Sequence, residues 1–394
     1  MALLAAGLGD GLGDGLGGGL GGGRAEGGAP APFGVRRYLP LPSLSYEPED
    51  RQTGGPAERD FGAHVDQTNY SVVVADKVVV KWLTPPQPLP VPALDLLAHL
   101  VESGFNDTAP PYAALTGPVG GRQCLLALVT GYLPEARDGW EWCVDEAAAG
   151  RTSFATALGH LAADLHLALS TVKGCDAPAT TAGLAQRRVS PGAERRVNPP
   201  AERPASPDAE RARRAVSDAL ALTGGADGRW LAAVAGRLRR ELAPLDRPAP
   251  GPRIRIHGDL HVGQILRWRG GYAVIDFDGN PTVADADPCQ PAARDVAQLT
   301  TSLEHVAQVA IRRRGTPPGR AAAWAAETRA GLLAAYRGRL AARGRTDLLD
   351  AALIRPFEVE QECRELIYAA RHLPRWRYAP MGVLRAWYPE ENMS

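Results

Sequence analysis

Residues 257–281, HGDLHVGQILRWRGGYAVIDFDGNP, constrain this chain more than any other stretch. An apolar strand at Arg253–Ile256 runs into a His-Gly-Asp loop; a short strand at 265–268, a Gly270-Gly271 turn and a strand at 272–276 follow. A lone HGD or a lone DFD is usually just a turn. The joint pattern is different, because it brings together parts that phosphoryl transfer needs at once: a carboxylate to take a hydroxyl proton, an amide oxygen five residues later, and a second carboxylate closing a strand. Protein kinases arrange these parts as HRDxxxxN followed by DFG. Asp259 is therefore expected to be the catalytic base, with Gln264 and Asp276 supplying oxygens to Mg²⁺. Asp278 is either a further metal ligand or an orienting group. His261 is expected to orient the loop beside the substrate rather than act as a base.

Such a reaction also needs a lysine on the nucleotide phosphates, held by an acidic residue. Lys81 closes the β-branched run VVVK, the strand position expected for it, whereas Lys77 sits in a turn and reads as solvated. Asp95 and Glu102 are the acidic candidates on the next helix, and Asp95 is preferred because it starts the amphipathic pattern. No GxxxxGK[ST] phosphate loop is present. The polar stretch Gln67-Thr68-Asn69 precedes a strand where a triphosphate-covering hairpin should lie, although an ordinary polar turn would look the same. The adenine is expected against the backbone between Val129 and Tyr132.

The surrounding pattern predicts an α+β, bilobal, protein-kinase-like fold, with a β-rich first part and a mostly helical second part. YSVVVADKVVVKWL reads as a hairpin turning at Ala75-Asp76. Val35–Leu39 and 123–130 are further strand candidates, and Pro85 to Pro92 reads as a connector. Helices are expected at 93–103, 152–170, 209–223, 228–243, 294–312, 319–342, 346–354 and 356–371. Residues 1–30 are a low-complexity Gly-rich leader expected to be disordered; 31–132 form a short cap and the ATP-binding lobe. Residues 133–394 form the helical lobe, with 174–208, rich in Pro, Ala, Arg and Ser, as a mobile insertion. The 44 Lys and Arg balance the 44 Asp and Glu, which gives no electrostatic reason to expect nucleic acid or an anionic membrane as partner. The 5 cysteines are scattered and odd in number, so neither a disulfide framework nor a zinc site is expected, and a cytoplasmic location fits.

These motifs together resemble the actinobacterial maltokinase-like branch of the aminoglycoside-phosphotransferase and choline-kinase group. HGDLHVGQILR, IDFDGNP, DGWEW at 138–142, ALGHLAADLHLAL at 157–169, ARDVA at 293–297 and FEVEQECRELIYAARHLPRW at 357–376 carry the resemblance from about Asp66 onward. The N-terminal cap is shorter than in maltokinases, and the DFDGNP form and the pair of Gln290 with Asp295 five residues on resemble a sister group that phosphorylates glucosamine. The resemblance thus implies an ATP-dependent, Mg²⁺-requiring kinase that makes glucosamine 6-phosphate, with ATP and a small amino sugar as its partners and a monomer as its assembly.

An ammonium sugar should meet carboxylates, since charge-assisted hydrogen bonds are the stronger ones. Gln290, Asp295, Glu362, Glu365 and Tyr368 are candidates to bind it, and Trp376 to stack on the sugar face. Glu358, Glu362 and Glu365 would equally serve as a solvated helix face paired with Arg364. Maltose or an aminoglycoside remains open as acceptor. A binding module without catalysis is disfavoured, because Lys81, Asp259 and Asp276 are all present.

Overall fold

The computed structural model describes residues 33–44, 58–60, 70–175, 206–247, 251–279 and 287–389. The expected leader, Gln67, Thr68, Asn69 and most of the 174–208 insertion lie outside the described residues. The chain divides into two compact units, Met1–Ala136 with Trp268–Asp278, and Arg137–Arg267 with Gly279–Ser394. The strand that ends on Asp276 thus groups with the first unit, not with the helical part to which 133–394 was assigned whole.

The first unit is built on a 6-stranded antiparallel sheet in the order β1-β5-β6-β4-β3-β2. Its strands are β1 (Gly34–Arg37), β2 (Glu58–Asp60), β3 (Tyr70–Val74), β4 (Val78–Pro88), β5 (Pro111–Val119) and β6 (Arg122–Gly131). The β3–β4 hairpin turns at Ala75 and Asp76, with φ of 52° and 49°, and Lys77 N donates to Val74 O. Two left-handed residues in succession match the twist of the flanking strands. Side chains alternate across the sheet. Val78, Val80, Ala113, Leu115, Ala127 and Val129 pack on one face. Leu83, Leu94, Ala114 and Leu125 pack with helix α1 (Pro92–Glu102) on the other. Strand β4 continues to Pro88 through a register shift between Trp82 and Gln87, so half of the expected proline connector is strand. Lys77, expected to be solvated, donates to Ser43 O at 2.6 Å. Strand β9 (Gly271–Val274) also belongs here; Thr108 Oγ1 donates to Val274 O at 2.7 Å.

The second unit is mostly helical. Its helices are α2 (Gly139–Ala149), α3 (Ala155–Leu169), α4 (Pro207–Leu222), α5 (Gly225–Glu241), α6 (Ala293–Arg314), α7 (Pro318–Ala342), α8 (Ile354–Arg371) and α9 (Tyr378–Trp387). The expected helix at 346–354 is two short 3₁₀ turns, Thr346–Leu348 and Ala351–Leu353. Gly159 on α3 lets α7 approach closely: a Cβ there would meet Leu332 O, and Ala335 Cβ at 2.7 Å. Short strands β7 (Ile254–Arg255) and β10 (Cys289–Gln290) pair antiparallel beside the HGD loop, and β8 (Ile265–Trp268) follows the loop. Cys289 is disulfide-bonded to Cys175, with Cα atoms 5.4 Å apart. This corrects the expectation of no disulfide: odd number and wide spacing hide a pair that the fold brings together across 114 residues. Among the described residues, no helix is long and apolar enough to cross a membrane.

Candidate active site

The HGD loop is held from below by one buried carboxylate. Asp295, in the first turn of α6, is fully closed to solvent. Its Oδ2 accepts from His257 N at 2.7 Å and pairs with His166 Nε2 at 3.2 Å; its Oδ1 accepts from Gly258 N at 2.9 Å. His166 Nδ1 in turn meets Tyr336 Oη at 2.6 Å, so α3, α6 and α7 all fix the backbone just before Asp259. Burial alone would push the Asp295 carboxyl up, but the His166 hydrogen bond, the His166 and His257 charges and the Gly258 N–H outweigh it and hold it below the ordinary range. The substrate contact expected of Asp295 is corrected: both oxygens are already used and no surface is left. Gln290 is corrected for the same reason. It is buried, its Nε2 donates to Asp287 O at 2.7 Å and its Oε1 accepts from Arg211 at 3.0 Å.

Asp259 itself keeps a partly open side chain. Its Oδ1 accepts from Gln298 Nε2 at 2.6 Å, and His261 Nε2 lies 3.8 Å from its Oδ2. Gln298 was not among the expected site residues; the one available signal was its place one helical turn after Asp295. His261 Nδ1 accepts from Gly263 N at 3.0 Å, which caps the 3₁₀ turn Val262–Gln264. Burial holds its imidazole below the ordinary value, against the pull of Asp259 and Glu365, so it is a neutral loop-orienting group. Gln264 makes no side-chain hydrogen bond among the described residues and remains available as an oxygen donor. The loop rests on α2, where Asp138 caps the helix by accepting from Trp140 N at 2.8 Å. Trp142 Nε1 donates to Ile265 O at 3.0 Å, and a Cβ on Gly139 would collide with the Val262 carbonyl.

In the first unit, Lys81 on β4 lies beside two carboxylates of the DFD motif. Its Nζ is 3.9 Å from Asp276 Oδ1 and 4.0 Å from Asp278 Oδ2. Asp276 sits at φ 65°, a left-handed backbone that non-glycine residues adopt at cost and that is frequent at functional positions. Two carboxylates form a hard oxygen set that suits Mg²⁺, which ordinarily takes one or two protein carboxylates and completes its shell with phosphate oxygens and water. The expected Lys81–Asp95 pair is corrected. Asp95 is on the exposed side of α1 and accepts from Arg36 Nη1 at 2.7 Å. Part of the backbone expected to meet adenine is already engaged. Val129 is in the sheet core, and the amides of Gly131 and Tyr132 donate to Pro110 O and Lys77 O.

A second cluster in the helical unit continues from His261. Trp140 packs on His261 with ring centroids 5.8 Å apart and edge-on to Trp376 at 5.7 Å. Trp376 Nε1 donates to Glu365 Oε2 at 2.8 Å, and Gln361 Nε2 to Glu365 Oε1 at 2.9 Å. Glu365 and Trp376 thus lie on one continuous lining with Asp259, half-buried and accessible. Glu362 does not: it is fully buried one layer behind, where its Oε2 meets His305 Nε2 at 3.0 Å. Burial would lower His305, but the Glu362 charge and hydrogen bond, with Glu365 and Glu304 nearby, raise its pKa to about 9. Tyr368 is exposed and tilts against His372, away from this cluster. Trp140, Gln298 and His305 are the residues that sequence reasoning missed.

The sequence profile of the phosphotransferase enzyme family matches residues 61–279. The chain belongs to that family. Among curated phosphotransferases it is 39% identical over 364 residues to a glucosamine kinase of Streptacidiphilus jiangxiensis, covering 89% of this chain and 78% of the relative. It is 36% identical over 339 residues to a glucosamine kinase of Mycolicibacterium smegmatis, covering 83% of this chain and 79% of the relative. A solved glucosamine kinase in complex with glucosamine, ADP and inorganic phosphate matches with a TM-score of 0.70 at 36% identity, over 92% of this chain and 83% of that one. The phosphotransferase fold expected from the HGD and DFD motifs, α+β with an antiparallel sheet and a mostly helical remainder, is thus the fold of the chain.

Proposed function

We propose that this chain is a glucosamine kinase, transferring the γ-phosphoryl group of ATP to the 6-hydroxyl of glucosamine. The observation that carries this reading is the continuous lining from Asp259 through His261, Trp140 and Trp376 to Glu365. It offers a base at one end and a carboxylate held beside an aromatic face at the other. An amino sugar needs both: an acceptor for its hydroxyl proton and an anion for its ammonium. The similarity to glucosamine kinases over most of the chain supports the same acceptor.

Asp259 takes the 6-hydroxyl proton, and the Gln298 amide fixes the direction in which its second oxygen points. Asp295 sets the height of the loop through two backbone amides. Lys81 binds the nucleotide phosphates. Asp276 and Asp278, beside Lys81, would hold Mg²⁺, which would supply neutralisation of the phosphate charge. Most of the acceleration then comes from positioning and fixed charge. Trp376 stacks on the sugar and Glu365 accepts from its ammonium. A cytoplasmic location is supported by the need for ATP alone, since the Cys175–Cys289 disulfide removes the cysteine argument for it.

The test is an ATP-consumption screen with Mg²⁺ against glucosamine, N-acetylglucosamine, glucose, maltose and kanamycin. Glucosamine should be turned over far faster than N-acetylglucosamine, whose amine is blocked. Asp259→Asn should abolish most of that turnover and leave ATP affinity nearly unchanged. Equal turnover of glucosamine and its N-acetyl form, or preference for maltose, would sink the assigned acceptor.

A further inference from the structure

Helices α4 and α8 line a half-open pocket of about 170 Å³ that the proposed reaction does not use. Its lining is basic. Arg211, Arg214, Arg364 and Arg371 face Glu360 and Asp218. Glu360 is already spent: it is fully buried, with Arg294 bound to both its oxygens at 3.1 and 2.9 Å and Arg211 at 3.3 Å. Arg211 is likewise engaged, by Asp208 and Gln290 as well as Glu360. Arg214, Arg364 and Arg371 make no ion pair or hydrogen bond among the described residues, which leaves three guanidiniums against Asp218.

Arg364 is the telling member. Its side chain is half-buried, and its Nη2 is closed to solvent with no acceptor. A buried guanidinium N–H without a partner costs free energy that a surface one does not. Burial, together with the Arg294 and Arg211 charges, weighs against its charged form more than Glu360 supports it. A ligand that brings negative charge and several acceptor oxygens would correct both defects.

None of Asp259, His261, Trp140, Glu365 and Trp376 lines the cavity, although Arg364 is near enough to Asp259 to feel its charge. At roughly 100° per residue, Glu360, Arg364, Ile367 and Arg371 share one face of α8, while Gln361, Glu362 and Glu365 project about a quarter of a turn or more from its centre. Its charge also excludes glucosamine, whose ammonium would be repelled. We propose that α4 and α8 form a binding site for a phosphate group, with half-buried Arg364 and exposed Arg214 and Arg371 as its donors. The pocket is large enough for more than a bare phosphate, and Tyr368 and His372, with rings 5.4 Å apart on its wall, give a sugar or other ring a surface to lie against. Planar guanidiniums suit phosphate oxygens in bidentate geometry.

The test is calorimetric titration of the full chain, without nucleotide, with inorganic phosphate, with glucosamine 6-phosphate and with glucosamine. It reads binding, not turnover, so it stands whatever the acceptor is. Both phosphates should bind saturably at about 1 mM or tighter. Arg364→Met with Arg371→Gln should weaken that binding about tenfold or more, the loss expected for a charge-assisted hydrogen bond, and Lys81→Met should leave it intact. Should the Arg364 variant fold poorly, Arg214→Gln with Arg371→Gln, both on exposed side chains, must still weaken phosphate. Equal affinities for the two ligands would mean that the phosphate alone is read. Tighter binding of the sugar phosphate, lost in Tyr368→Ala, would assign the ring to the cavity wall. Absence of saturable binding, or binding lost in Lys81→Met and kept in the arginine variants, would overturn the proposal.

Discussion

Asp295→Asn isolates the device that holds the catalytic loop. The native carboxylate accepts three hydrogen bonds in a site closed to water: His257 N and His166 Nε2 on one oxygen, Gly258 N on the other. An amide of the same shape keeps its oxygen where two donors converge, so its NH₂ faces the Gly258 N–H. One charge-assisted hydrogen bond is lost, worth about 1.5–3 kcal/mol, and a buried donor is left without an acceptor at about 1–3 kcal/mol. These costs overlap and the loop will relax, so the expected loss of folding stability is about 2–4 kcal/mol. Whatever relaxation recovers in stability it takes from geometry, because Gly258 is the residue before Asp259. Urea denaturation and steady-state kinetics on the same preparation read the two parts. We expect the stability loss together with a fall in kcat of about tenfold or more and little change in KM for ATP. An Asn variant within about 0.5 kcal/mol of the parent and with full kcat would refute the anchoring role.

Two further predictions follow from the same unit. The folded-state pKa of His305 is raised to about 9 from an ordinary 6.5 and that of its buried partner Glu362 to about 7, so both charges are present between about pH 7 and 9, and the stability that the raised His305 contributes is lost as pH rises through about 9. The unfolding free energy should fall across that window by an amount on the order of 3 kcal/mol, and His305→Gln should flatten the fall; an unchanged pH profile in the variant would show that another group titrates. Gly139→Ala should push the Val262 carbonyl and with it the 3₁₀ turn that carries Gln264, lowering both the melting temperature and turnover. A variant with native turnover would mean that the loop has slack the structure does not show.

What could be read from the sequence was what is local in it. The HGD loop, the β3–β4 hairpin and the DFD turn each carry their parts within a few residues, so Asp259, Lys81 and Asp276 are placed by spacing alone. Side-chain partners across helices are not local. Asp95 has the right type and the right helix, but the helix rotation that turns it to Arg36 is set by how Leu94 and Leu97 pack. Asp295 stands in a recognisable motif, yet its complete burial is a property of α3, α6 and α7 together. Gln298, His166 and His305 lie 39, 129 and 57 residues from the partners they serve, and nothing in the sequence announces those distances. Strand β5 does not read as a strand in the sequence, because Pro111, Gly117 and Pro118 punctuate it.

The ion pairs of the helical unit are made by arginine and histidine; the sequence holds lysine only at positions 77, 81 and 173. Lys77 is tied to Ser43 O, while Lys81 stands by two aspartates. The protein has thus separated two kinds of cation, planar forks for scaffolding and a compact ammonium for the nucleotide end. Amine-directed chemistry ignores guanidinium groups. An acylating reagent delivered on a nucleotide would therefore find very few competing targets on this surface, and covalent labelling of Lys81 becomes a direct count of occupied nucleotide sites.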